Sequence, residues 1–458
     1  MISENVYRLC HHEKTVSSEL ARDPSQSPAK LFHKLYYDYK LKEKLFETKQ
    51  STAARQDPLQ RAYDCGNWGT AKPSNLFLKI YHDALCTLDK NPLGGVVSPP
   101  LMGSHGVVPL TIVAPLPDLC RHVANCIARA EKEVFLGTNF WIYSDASTLV
   151  TNAFRELSRR AGERGSKVVV KVLYDRGNPQ QLWDNHLRVD EKQYADPNGK
   201  VRLPPSSEIP NIDLQVTNYH RPIVGTFHAK FIIIDRRIAL LQSSNVQDND
   251  NLEMLVHVEG PIVDSFYDTA LISWGKAFKT SLPMLSSSAA SADIPGISAQ
   301  HSRSDSNKDL RSPLPEHTTL EPHYDCDIQH EAQRVNDTIR PRAGESKTQA
   351  VTRHLTPNHT SIYTPQNSAF LSAFKHAKHS IFIQTPNMNA EPILEALLDA
   401  VRRGVTVTCY LCLGYNDAGQ LLPFQNGTNE MIANRLYLSL HTDEERSRLR
   451  IFNYVAKD

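Results

Sequence analysis

From Thr226 to Met254 the chain reads TFHAKFIIIDRRIALLQSSNVQDNDNLEM, which places an imidazole, an ammonium and two carboxylates within one short stretch. His228 and Lys230 are two residues apart, so in an extended segment both side chains leave the same face. A neutral imidazole with an ordinary pKa of about 6.5 is a competent nucleophile toward phosphorus at neutral pH. An ammonium beside it offsets the negative charge that builds on the non-bridging oxygens, and the side chains of Ser243 and Asn245 add neutral donors. The chemistry this set suits is formation of a phosphohistidine on a phosphodiester, with no metal required. Asp235 has the opposite parity to Lys230 and lies just past the apolar run FIII, so it is expected to organise a turn rather than touch substrate.

The tripeptide His-x-Lys is not specific. It also occurs at His12-Glu13-Lys14 and His376-Ala377-Lys378, neither of which has an aspartate five residues beyond the lysine. Around His228 the aspartate, the apolar strand, the S-x-N and a following acid all agree. This HxKxxxxD spacing followed by QSSN and NLE resembles the phospholipase D superfamily. The resemblance implies that Glu253 holds the nucleophilic His228 by its other ring nitrogen and fixes its tautomer. It also implies a glycine where this chain has Gln242, so the backbone there approaches the phosphate less closely.

Members of the superfamily bring two HxKxxxxD strands together, one histidine attacking and the other protonating the leaving oxygen. This chain carries only the first. Loss of a positioned general acid costs about 10²–10⁴ in rate, so weak activity is expected of the chain alone. Three explanations are open: a missing C-terminal part, a homodimer pairing two copies of His228, or a degenerate site. Truncation is favoured, because Asp458 falls just after an apparent strand and before its sheet partner. The resemblance implies a phosphodiesterase or phosphatidyltransferase acting on phospholipid at a membrane surface, as in phospholipase D or cardiolipin synthases, without cofactor. A nuclease of the same superfamily and a non-catalytic phosphate-binding remnant are the alternatives.

The elements that must position these residues follow an α/β grammar. From Gly106 the chain alternates VVPLTIV, a helix capped by Asp118, the strand VFLGTNF, and a helix with Leu149, Val150, Ala153, Phe154 and Leu157 on one face. The continuous apolar run KVVVKVLY follows, as expected of a strand covered on both faces. Asn139, Trp141, Asp175 and Arg176 follow strands and could line a cleft, since ligands gather where parallel strands end. After residue 358 the grammar restarts. EVFLGTN from Glu133 matches SIFIQTPN from Ser380, and DLQVTNY from Asp213 matches RLRIFNY from Arg448. The expected organisation is a peripheral N-terminal extension over 1–105 with a helix near residues 77–85, and a first half-domain with the catalytic motif over 106–283. A disordered linker over 284–358 and an incomplete second half-domain over 359–458 complete it. The fold expected is thus a phospholipase D-like mixed sheet flanked by helices, partly repeated.

Composition bounds the rest. The chain has 458 residues, 40% hydrophobic and 22% charged, with a formal charge of +1. A charge so near zero offers no general field for nucleic acid, so phosphate binding must be local. No apolar run is long enough to cross a bilayer, and MISENVYRLCHHEK lacks the pattern of a secretory signal, so an intracellular, cytoplasmic or peripheral-membrane address is expected. The eight cysteines are scattered, with Cys126 and Cys409 inside apolar patterns, which suits packed thiols better than a disulfide framework. Cys409 and Cys412 spell CxxC within a strand-like run and read as core.

Overall fold

A computed structural model describes residues 1–37, 57–221, 227–249, 252–289, 363–414, 420–421 and 426–454. Eight strands form one mixed sheet: β1 Val107–Pro115, β2 Glu133–Gly137, β3 Val168–Tyr174, β4 His186–Val189, β5 Ile212–Tyr219, β6 Phe231–Ile234, β7 Ile238–Gln242 and β8 Leu252–Glu259. Their order is β1-β8-β7-β6-β2-β3-β5-β4. β2, β3 and β5 run parallel, and the other pairings are antiparallel. The strand that follows Lys230, β6, therefore lies in the interior of the sheet, between β2 and β7.

Every residue of β2, β3 and β6 is buried, which demands a covering layer on each face. On one face the amphipathic helices Leu116–Ala128 and Asp145–Glu163 pack Val123, Ile127, Val150, Phe154 and Leu157 against Val134, Val170 and Val172. The second of these helices begins at a capping box, in which Ser144 accepts from the Ser147 backbone. Asp118 is not the cap that its position suggested. The first helix begins two residues earlier, after Pro115, and Asp118 sits in its first turn bonded to Arg121.

The opposite face is covered by helix Ile262–Trp274 together with the N-terminal helices Val16–Arg22 and Pro28–Tyr36, which bury Leu20, Leu31, Phe32 and Tyr36. The N-terminal segment is therefore not peripheral, because its helices pack on helix Ile262–Trp274 and share one buried cluster with Phe135, Val169 and Phe231 of the sheet. It is pinned by Asp268, a fully buried carboxylate that accepts from the backbone N–H of Ser17 at 2.9 Å and of Ser98 at 2.8 Å. The same face holds Glu133 and Lys171. Burial pushes the Glu133 carboxyl up to about 7 although Tyr267 Oη and Met284 N donate to it, and burial pushes the Lys171 ammonium down to about 8. The packed chain also runs past the expected boundary at 283, since Leu285 and Ala289 are buried and Arg236 donates to the carbonyls of Met284 and Leu285. Residues 290–358 of the expected linker lie outside the described residues.

A separate three-stranded parallel sheet, ordered β11-β10-β9, is built from β9 Ser380–Thr385, β10 Thr406–Cys412 and β11 Leu449–Tyr454. Helix Glu391–Arg402 links β9 to β10 and buries Leu394, Leu397 and Val401 with Val407, Cys409 and Leu411. Order and direction repeat those of β2, β3 and β5. Helix Pro365–His376 lies against helix Asn75–Cys86, where the Ser368 hydroxyl donates to the Asp83 carbonyl at 2.9 Å. On the other face of this sheet Phe382, Tyr410 and Phe452 stand in a row, with ring centroids 5.5 Å and 5.1 Å apart and all three exposed. Among the described residues no helix is long and apolar enough to cross a membrane.

Candidate active site

The assigned part of β6 begins at Phe231, and its ladder to β7 runs one pair further, to Lys230 opposite Gln242. Lys230 is fastened by its carbonyl, which accepts from the Gln242 N–H at 3.2 Å. Its side chain folds back, with Nζ donating to the His228 carbonyl at 2.9 Å and lying 3.3 Å from Nδ1 and 3.5 Å from Nε2 of the His228 ring. His228 is exposed while Lys230 is buried.

Asp175, at the end of β3, clamps the approach to this segment. Its carboxylate accepts from the Phe227 N–H at 2.6 Å and from His220 Nδ1 at 2.8 Å. Burial pushes its carboxyl above the ordinary range, and those two bonds pull it back only in part. Asp235 stands at the far end of β6 with φ +51°, its carboxylate accepting from the N–H groups of Glu131, Lys132 and Glu133 at 2.8 Å each. It ties the turn before β2 to the turn after β6.

The remaining predicted residues come from β7, β8 and the segment between them. The Ser243 hydroxyl donates to Glu253, and Asn249 Nδ2 donates to the other Glu253 oxygen at 2.7 Å. Glu253 is buried, and its charge favours the protonated form of Lys230. Asn245 Oδ1 accepts from the Phe140 N–H at 3.4 Å. Backbone bonds between Phe140, Ile142 and Val246 lace this segment to the one after β2 and bring Asn139 beside it. Asn139 is 1% exposed, and neither polar atom of its amide has a hydrogen-bond partner among the described residues. Trp141, by contrast, is core. It is fully buried, stacks near Phe154, and its indole donates to the Val201 carbonyl.

No family model and no curated protein matches the chain. Solved structures do. Phosphatidylserine synthase from Haemophilus influenzae Rd KW20 is 11% identical over 66% of this chain and 61% of its own, with a TM-score of 0.36. NucT from Helicobacter pylori is 17% identical over 37% of this chain and 99% of its own, with a TM-score of 0.24. Nuc from Salmonella typhimurium, a phospholipase D family member, is 18% identical over the same shares, with a TM-score of 0.23. The chain thus spans less than two thirds of the synthase's length.

Burial, opposed only in part by the charge of Glu253, pushes the Lys230 ammonium from its ordinary value of about 10.4 down to about 8. If Lys230 holds a phosphate as the sequence leads one to expect, its ammonium is the binding form, so affinity is full well below pH 8 and is lost as pH rises through it. A dialkyl phosphate keeps one negative charge throughout, and its binding is expected to weaken about tenfold between pH 7 and pH 9. Lys230→Arg should remove that dependence, because guanidinium stays charged. Titration by calorimetry at several pH values checks it. The linked effect on stability has the opposite sign. Between pH 8 and about 10.4 the unfolded chain holds a proton the folded one has lost, so stability rises with pH in that window.

Proposed function

We propose that the chain transfers a phosphodiester phosphoryl group onto His228, with the phosphatidyl group of a phospholipid as the substrate class. The observation that carries this reading is the buried Lys230 ammonium within 3.5 Å of both ring nitrogens of the exposed His228. The nitrogen lone pair attacks phosphorus, the ester oxygen leaves, and Lys230 meets the charge on the non-bridging oxygens. Asn245 and the unpartnered amide of Asn139 serve in this reading as further donors to phosphate. In this reading Ser243 and Asn249 hold the Glu253 carboxylate, which orients His228 and sustains the charge on Lys230.

Water or an alcohol then takes the group from nitrogen, so hydrolysis and transfer share one intermediate. Residues 359–458 are read as a second copy of the half-domain over 106–283, incomplete because the sequence holds a single HxKxxxxD. The leaving oxygen is then protonated by a group other than a second motif histidine of this chain. A low basal rate follows, by about 10²–10⁴ against a site with both histidines.

The substrate class is tested by incubating the chain with phospholipid vesicles labelled in the phosphatidyl group and, separately, with oligonucleotides labelled in the phosphate. Acid quenching destroys an N–P bond, so the protein is denatured in alkali before counting. Label from the lipid alone is expected. Label from the oligonucleotide alone would assign a nuclease instead, and label from neither would end the reading.

A further inference from the structure

A second group of reactive side chains lies between helix Leu116–Ala128 and β8, apart from His228. His122 and Cys126 are one helical turn apart, so both project from one face of the helix. His257 projects toward them from β8. All three are buried, at 9%, 3% and 0% exposure, so solvent does not explain why they are polar. Nε2 of His122 is 3.2 Å from Nδ1 of His257, and Sγ of Cys126 is 3.6 Å from that Nε2. The three donor atoms all lie within 4.8 Å of one another.

These separations can be compared with what one ion requires. With metal–nitrogen bonds of about 2.0–2.1 Å and a metal–sulfur bond of about 2.3 Å, tetrahedral angles put two nitrogens roughly 3.3 Å apart and nitrogen and sulfur roughly 3.6 Å apart. The His122–His257 and His122–Cys126 distances meet those values. The other ring nitrogen of His257, Nε2, is 3.0 Å from Oε1 of Glu259. That arrangement, a carboxylate on the far nitrogen of a liganding histidine, fixes the tautomer and directs the lone pair of Nδ1 inward.

We propose that His122, Cys126 and His257 bind one zinc-type divalent ion, with Glu259 orienting His257. Burial disfavours charge on the His122 ring, and the ion takes the neutral imidazole. The Cys126 thiol is pushed up to about 12 by burial, so the ion releases a proton to solvent as the sulfur binds. Arg129 is the cation that acts on both His122 and Cys126, and Glu259 and the new thiolate offset it together with the ion. A soft thiolate with two imidazoles selects zinc-type ions over magnesium or calcium. The ion would join the helix to β8 on the strand face that also carries Glu253, about 13 Å along the strand.

The test uses the full chain without a histidine tag, purified free of chelators. One zinc per chain by mass spectrometry is expected. Replacement by Co²⁺ should give the visible bands of a tetrahedral ion and a near-ultraviolet thiolate-to-cobalt band. Cys126→Ser should abolish the thiolate band, while His228→Ala should leave stoichiometry and spectrum unchanged. Should Cys126→Ser fail to fold, Glu259→Gln keeps all three donors and should weaken Co²⁺ affinity by about 10–100-fold. A metal-free chain that shows no cobalt spectrum after refolding with Co²⁺ would mean that the three residues form a hydrogen-bonded core cluster only. A thiolate band that survives in folded Cys126→Ser, or unchanged affinity in Glu259→Gln, would equally overturn the proposal.

Discussion

His228→Ala is expected to leave no acid-labile label on the protein and to reduce turnover by about 10⁴–10⁶, the largest effect of any single substitution in the chain. The substitution removes the atom that would bond phosphorus, and Lys230 cannot replace it as a nucleophile while its nitrogen remains an ammonium. Because His228 is exposed and precedes β6, the change opens no cavity, so the variant should keep its melting temperature. Lys230→Met separates attack from charge stabilisation. It should slow labelling by about 10²–10³ yet leave His228 as the labelled residue. Peptide mapping of the labelled protein checks both statements, and label persisting in folded His228→Ala would sink the nucleophile assignment.

Asp235→Ala should cost substantial stability without any contact to substrate. One carboxylate takes three consecutive backbone N–H groups at 2.8 Å, and hydrogen bonds to a charged acceptor contribute about 1.5–3 kcal/mol each when dry. The site is partly open to water, which can replace some of these bonds, so a total of about 2–3 kcal/mol is expected. Alanine at φ +51° adds roughly 1 kcal/mol of left-handed strain that aspartate and asparagine tolerate better. The melting temperature should fall by roughly 10 °C. Asp235→Asn keeps the backbone preference and part of the acceptor capacity, and should lose about half as much. Equal, negligible shifts for both variants would show that the triple bond is not a structural tie.

The sheet was legible where burial dictates composition. KVVVKVLY, FIII and the face Leu149, Val150, Ala153, Phe154 and Leu157 are apolar because layers cover them, and each stands in the expected element. Asp235 is expected to organise a turn, and its carboxylate accepts three backbone N–H groups of the turn before β2. What the sequence does not show is how His228 and Lys230 meet, with the lysine side chain folded back onto the His228 carbonyl. Such an arrangement depends on Gln242 and Asp175, residues fixed by tertiary contacts that no local pattern records. The N-terminal helices read as peripheral for the same reason, since their apolar faces become core only against helix Ile262–Trp274, far along the chain. Likewise His122 and Cys126 carry an i, i+4 signal that is meaningless until β8 brings His257 to them.

The row of Phe382, Tyr410 and Phe452 bears on how the protein behaves in the tube. Flat rings on a face that no described residue covers attract one another across chains as readily as they stack within one. Kosmotropic salts such as sulfate strengthen that attraction, so concentrated stocks will cloud there sooner than in plain chloride buffers. A net charge of only +1 gives little colloidal repulsion to oppose it.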